Sequence, residues 1–192
     1  MTGQPAIGLV LVDVQNAFFE AGALAQRRAE LASRCNALVR WARDNAVLVV
    51  NLRTEHRADR STWTLSMLED DQGFAIAGDH DAQPLEELDL AGSVEVVKTR
   101  DDGFFRTNLG ALLEQHRVET LVLAGVSTHT CVATTAAHAY ATDLHVVLAH
   151  DAIASDRPEL HEPTIALLQD EFRFAVLPTA SIIHSDAAAL TR

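Results

Sequence analysis

Apolar residues along the chain gather in short, nearly uninterrupted runs at 7–14, 47–52, 94–98, 121–125, 146–149 and 175–177. The runs are rich in Val, Leu and Ile and lack polar alternation, the pattern of strands covered on both faces of a parallel sheet. Between them the apolar spacing changes to that of helices. Residues 24–43 place Leu31, Leu38 and Trp41 on one side with Arg and Glu on the other. Thr107 and Asn108 can cap a helix over 109–116, residues 131–140 are rich in Ala and Thr, and 158–172 repeats Leu and Ile at helical intervals. Strands alternating with helices predict right-handed βαβ units. The expected fold class is α/β: a Rossmann-like three-layer α/β/α sandwich around an open, mainly parallel six-stranded sheet in the order 3-2-1-4-5-6. Residues 53–92 break the rhythm, being polar, weakly periodic and punctuated by Gly73, Gly78 and Pro84. A loop of that length in a compact domain is more often functional than idle.

Length and composition narrow the picture further. The 192 residues suit one domain, 1–192, with no repeat or linker to divide it, and a core that needs no metal or disulfide staple. The net charge of −12 makes phosphate backbones and anionic lipid poor partners, so neither nucleic acid nor membrane is expected. Cys35 and Cys131 form no disulfide framework and no zinc-ligand spacing, which fits a reducing compartment. Residues 1–8 show neither a basic leader nor a cleavage signal, and no apolar run reaches the ~20 residues that span a bilayer. A cytoplasmic protein acting on a small molecule is the expectation.

In open α/β sheets ligands bind outside the carboxyl ends of the strands. Three reactive side chains are expected at that edge. Asp13 closes the first strand, Lys98 closes the third, and the fourth runs through Gly125 and Val126 into Ser127-Thr128-His129-Thr130-Cys131. A charge at the end of a greasy strand must be paired to be tolerated. Cys131 is expected in the first turn of the following helix, where free amides and the positive dipole end favour a thiolate and can receive an oxyanion. Cys35, between Arg34 and Asn36, has nothing reactive beside it and is expected to pack as a small hydrophobe.

These blocks resemble the isochorismatase-like cysteine hydrolase superfamily, which includes nicotinamidases, N-carbamoylsarcosine amidohydrolases and ureidoacrylate amidohydrolases. The match is carried by Leu9-Val10-Leu11-Val12-Asp13-Val14-Gln15-Asn16-Ala17-Phe18, by Lys98 with Phe104, Thr107 and Leu109, and by Gly125 to Val132 with Thr134-Thr135-Ala136. His150-Asp151-Ala152-Ile153-Ala154-Ser155 adds a fourth block. The resemblance implies an Asp13–Lys98–Cys131 triad that hydrolyses a C–N bond of a small amide or carbamoyl substrate through a thioester. It implies a cis peptide between Val126 and Ser127, an oxyanion hole from the amides of Ser127 and Cys131, and a homodimer or homotetramer. Residues 53–92 and 182–190 are candidate interface pieces. Phe18 and Phe104 match pocket-lining positions, and Trp63, Thr128 and His129 join them as candidate substrate contacts; Phe19 and Phe105 are as readily core.

Departures from the family matter as well. Nicotinamidases carry a metal site whose positions here read Thr54, His56 and Arg60. Only one of the three is a ligand type, so no metal and no cofactor is expected, and His56 reads as a solvated loop histidine. The remaining histidines, His150 and His161 among them, show no ligand spacing in sequence. A serine nucleophile elbow, G-x-S-x-G, would need Gly where His129 stands. Two other readings stay open: a nucleotide-binding α/β module, although no Gly-rich phosphate loop follows any strand, and a catalytically idle relative that binds without turnover. Hydrolysis of a different small metabolite within the same superfamily is a further alternative.

Overall fold

The first strand shows why the apolar runs lack alternation. In β1 (Ala6–Val12), Leu9 and Leu11 join one buried cluster while Val10 and Val12 join another on the opposite face. Both faces are therefore dry, and no position is left for a polar residue. In the computed structural model, which describes residues 6–185 and 190, six strands form one all-parallel sheet in the order β3-β2-β1-β4-β5-β6. The others are β2 (Leu48–Thr54), β3 (Val94–Lys98), β4 (Val118–Val126), β5 (His145–Ala154) and β6 (Ala175–Leu177). The expected fold class and strand order are those observed.

Among the described residues, seven α-helices accompany the sheet: α1 (Asn16–Phe19), α2 (Gly22–Asp44), α3 (Leu65–Glu69), α4 (Leu109–Gln115), α5 (Ala133–Ala141), α6 (His161–Phe172) and α7 (Thr179–His184). Long α2 buries Leu24, Leu31, Cys35, Leu38 and Ala42, one stripe at helical spacing, in the cluster that also holds Leu9, Leu11 and Ile182 of α7. The other face holds Leu109 and Leu113 of α4, Ala136 and Ala139 of α5, and Ile165 and Leu168 of α6. Cys35 of α2 is fully buried in the first of these clusters as a small hydrophobe, and burial pushes its thiol up to about 12.

The differences from expectation lie at the ends and edges. β3 is an outer strand, so Glu95 and Val97 face outward and only Val96 and Lys98 are buried. β1 stops at Val12 because Asp13 enters the left-handed region (φ 51°) and turns the chain out of the sheet. β5 runs past its apolar stretch to Ala154, with an irregular register opposite Leu123 and Gly125 where His150 and Asp151 sit. Gly125 has φ +118°, and a Cβ there would overlap the Val12 carbonyl of the adjacent strand. Only glycine permits that approach.

The 53–92 stretch is held by buried polar bonds. Gln15, itself fully buried, donates Nε2 to the carbonyls of Thr54 (2.8 Å) and Ala82 (2.7 Å) and accepts from the Thr54 amide (2.7 Å). Arg28 with Glu87 and Arg43 with Asp89 tie its later part to α2. Of the 182–190 piece, residues 182–184 end α7 and 186–189 lie outside the described residues. No helix among the described residues is long and apolar enough to cross a membrane.

Candidate active site

Asp13, Lys98 and Cys131 come from three different strand ends and meet at one edge of the sheet. Lys98 pairs in register with Thr54 at the end of β2, and β2 lies beside β1, which delivers Asp13. Lys98 Nζ stands 2.7 Å from Asp13 Oδ2, donates to Thr54 Oγ1 (2.7 Å), and lies 3.4 Å from Cys131 Sγ. The Thr54 hydroxyl in turn donates to Asp13 Oδ1 (2.9 Å). The side chains of Asp13 and Lys98 are wholly buried. Asp13 Oδ2 faces the ammonium as a close ion pair.

Cys131 does not sit in the first turn of an α-helix. It lies in a π-helical turn, Thr128–Val132, that precedes α5. The amides of Thr130 (3.2 Å) and Val132 (3.1 Å) both donate to the Ser127 carbonyl, and the Val126–Ser127 peptide bond is cis. The expected thiolate is corrected too. Burial, then the negative charge of Asp13, push the Cys131 thiol well above its usual range, although the Lys98 ammonium pulls the other way. Lys98 is itself raised: burial opposes its charge, but Asp13 and Cys131 outweigh the burial. The resting site therefore favours an ammonium on Lys98 and a neutral thiol on Cys131. The thiol also reaches a second carboxylate, donating to Asp101 Oδ1 at 3.6 Å.

Above the sulfur opens a cavity of about 1090 Å³, somewhat larger than a typical small-molecule site. Cys131, Ser127 and His129 reach its wall, as does Phe18, which packs edge-on against Phe74 at 5.1 Å. His129 Nδ1 lies 2.8 Å from Ser155 Oγ, whose one hydrogen goes to the Arg157 carbonyl, so His129 is the donor in that contact. Three other expected substrate contacts are elsewhere. Trp63 donates Nε1 to the Arg57 carbonyl and carries the Arg60 guanidinium on its ring. Phe104 stacks on His138 at 4.6 Å, and Thr128 is fully buried against His161 Nδ1 (2.8 Å). The aromatic signal marked hydrophobic contact without saying which side of the wall each ring occupies.

The three positions compared with a metal site are otherwise engaged. Thr54 belongs to the Asp13–Lys98 network, and Arg60 pairs with Asp71. His56 is buried at 2% exposure rather than solvated, lines the cavity, and makes its Nδ1 contact with the Thr62 carbonyl at 2.9 Å. Burial lowers its pKa, so it is a neutral ring whose Nδ1 carries the proton. Residues not foreseen also reach the wall: Arg100 and Asp101 just after Lys98, Met67 and Leu65 of α3, and Asp156, which accepts from the Ser127 hydroxyl. The proximity of Arg100 and Asp101 to Lys98 in sequence was the one available signal; the others arrive from distant loops.

The isochorismatase domain model matches residues 8–181, nearly the whole chain and all three strand ends described above. The chain belongs to the isochorismatase family. Over 168 residues it is 32% identical to a probable inactive nicotinamidase of Arabidopsis thaliana, covering 82% of this chain and 85% of that one. It is 36% identical over 152 residues to a streptothricin hydrolase of Streptomyces noursei, covering 77% of this chain and 49% of that protein, so it spans about half of that relative's length. The solved structure of an isochorismatase family protein from Desulfovibrio vulgaris subsp. vulgaris strain Hildenborough matches with a TM-score of 0.84 at 28% identity, over 93% of this chain and 96% of that one.

Proposed function

We propose that this isochorismatase-family protein is a cysteine hydrolase that cleaves the C–N bond of a small amide or carbamoyl compound through a thioester, with no metal taking part. The observation that carries this reading is the buried chain Asp13–Lys98–Cys131, with only the sulfur reaching the cavity. A nucleophile, a proton acceptor and a fixed positive charge are the parts that covalent acyl transfer needs. The raised thiol pKa assigns the first step: because the resting sulfur is protonated, its proton passes to Asp13 as Sγ attacks the carbonyl carbon. The amides of Ser127 and Cys131 receive the oxyanion. Asp13 then gives the proton to the leaving nitrogen, the C–N bond breaks, and the amine departs. Water attacks the thioester while Asp13 takes its proton; the C–S bond breaks and the proton returns to sulfur. Lys98 stays charged throughout and holds Asp13 and the sulfur in register.

Phe18, Phe74, Leu65 and Met67 supply an apolar wall, while Arg100 and His129 bring polar groups to it. A flat or apolar acyl group suits that lining. Mass spectrometry of the protein incubated with an amide library tests the reading. An acyl adduct on Cys131, absent from Cys131→Ala, together with loss of turnover in that variant, is expected. Turnover of a confirmed substrate by Cys131→Ala would remove the claim. No adduct and no turnover across a broad library would favour a protein that binds without catalysis.

A further inference from the structure

Outside the cavity, where β5 bends beside the start of α6, three side chains converge: His150, His161 and Glu162. One ligand atom from each lies within 4.8 Å of the other two. His150 Nε2 stands 3.1 Å and His161 Nε2 3.7 Å from Glu162 Oε1. Ligands about 2.0–2.1 Å from a tetrahedral zinc ion stand roughly 3.3 Å apart, so these separations need only small side-chain adjustment. The ten residues between the histidines hid the cluster in sequence; the fold brings the irregular part of β5 and the start of α6 together.

We infer that His150, His161 and Glu162 form a binding site for a divalent transition-metal ion such as zinc, with water completing a tetrahedral set. Two imidazoles and one carboxylate are a zinc-type ligand combination. A second, independent feature is the support behind the inner ligand. His161 is half-buried, and its Nδ1 lies 2.8 Å from the hydroxyl of fully buried Thr128. That contact fixes the ring with Nε2 facing the other two ligands, the arrangement in which an outer partner orients a metal-binding histidine. Two features oppose a cation: the N-terminal end of α6, and Arg27, whose charge reaches His161 but which is paired with Glu30 at 3.5 Å. The Glu162 carboxylate offsets both.

The test uses the full-length protein carrying Cys131→Ser, so that the active-site thiol supplies no ligand, after removal of metal by a chelator. Calorimetric titration with zinc should show one saturable equivalent, and cobalt(II) should develop the visible bands of a four-coordinate centre. His150→Ala and Glu162→Gln, made in the same background, should each weaken zinc binding by at least about tenfold and erase the cobalt bands. Both side chains are solvent-accessible, at 40% and 69%, so these variants keep the fold even if His161→Ala, which strips Thr128 of its partner, does not. Absence of saturable binding in the parent, or binding as tight as the parent's in either variant, would overturn the inference.

Discussion

Asp13 joins two roles in one residue. Its backbone takes a left-handed conformation that ends β1, and its side chain is buried against Lys98. Asn tolerates that conformation about as well as Asp, better than most residues other than glycine. Asp13→Asn should therefore keep the fold, measured by circular dichroism and thermal melting, while turnover of an identified substrate falls by about 10²-fold or more. Turnover close to that of the parent would move the proton-acceptor role to Asp101, the other carboxylate beside the sulfur. The thiol supplies a second prediction at this scale. Because Cys131 ionises above its ordinary value of 9.0, its thiolate fraction at neutral pH is low and grows with alkalinity. The rate of alkylation of Cys131 in the free protein should still be climbing beyond pH 9; a plateau below pH 8 would show a thiolate at rest instead. Asp13, Lys98 and Cys131 were all legible in sequence because each sits at the end of, or just after, an apolar run. Thr54, which completes their hydrogen bonding, was not, since a threonine at a strand end carries no distinguishing signal.

Among the elements, the 53–92 segment matters most to the site, supplying Leu65, Met67 and Phe74 to its wall. Gln15 holds this segment through three buried hydrogen bonds. Gln15→Leu would leave the Thr54 amide and two carbonyls without their partners, at a cost of about 3 kcal/mol. A lower denaturant midpoint with an unchanged slope is the expected result, and an unchanged midpoint would mean that the ion pairs to α2 suffice. The central strands, by contrast, were plain in sequence. Their composition reports burial on both faces, which only a covered parallel sheet supplies. The π-helical turn around Cys131 was not plain, because the same Thr- and Ala-rich stretch reads equally well as the opening of α5.

Across the whole molecule, buried titratable groups bound the pH range of stability. Cys35, Cys131 and Lys98 all ionise or deprotonate at higher pH in the folded chain than their ordinary values of 9.0, 9.0 and 10.5. Their contributions are complete below those values and decline as pH rises past them toward the folded values. His56 and His161 have depressed pKa values, so their contributions are complete above 6.5 and decline as pH falls below it. Resistance to denaturant should accordingly be greatest between about pH 6.5 and 9. Cys35→Ala should flatten the alkaline decline, since it removes the thiol whose folded value is pushed to about 12. An alkaline limb equally steep in that variant would assign the decline to Cys131 and Lys98.

The order of apolar runs and the reactive residues that close or follow three of them are local properties, so the chain alone was enough to determine the parallel sheet, its class and the edge where the chemistry gathers. The protonation of the thiol, the side of the wall on which Phe18, Phe104 and Trp63 lie, and the meeting of His150 with His161 and Glu162 depend on burial and on contacts between segments far apart in the chain. Those quantities have no value until the sheet has closed around them, and only the tertiary structure decided them.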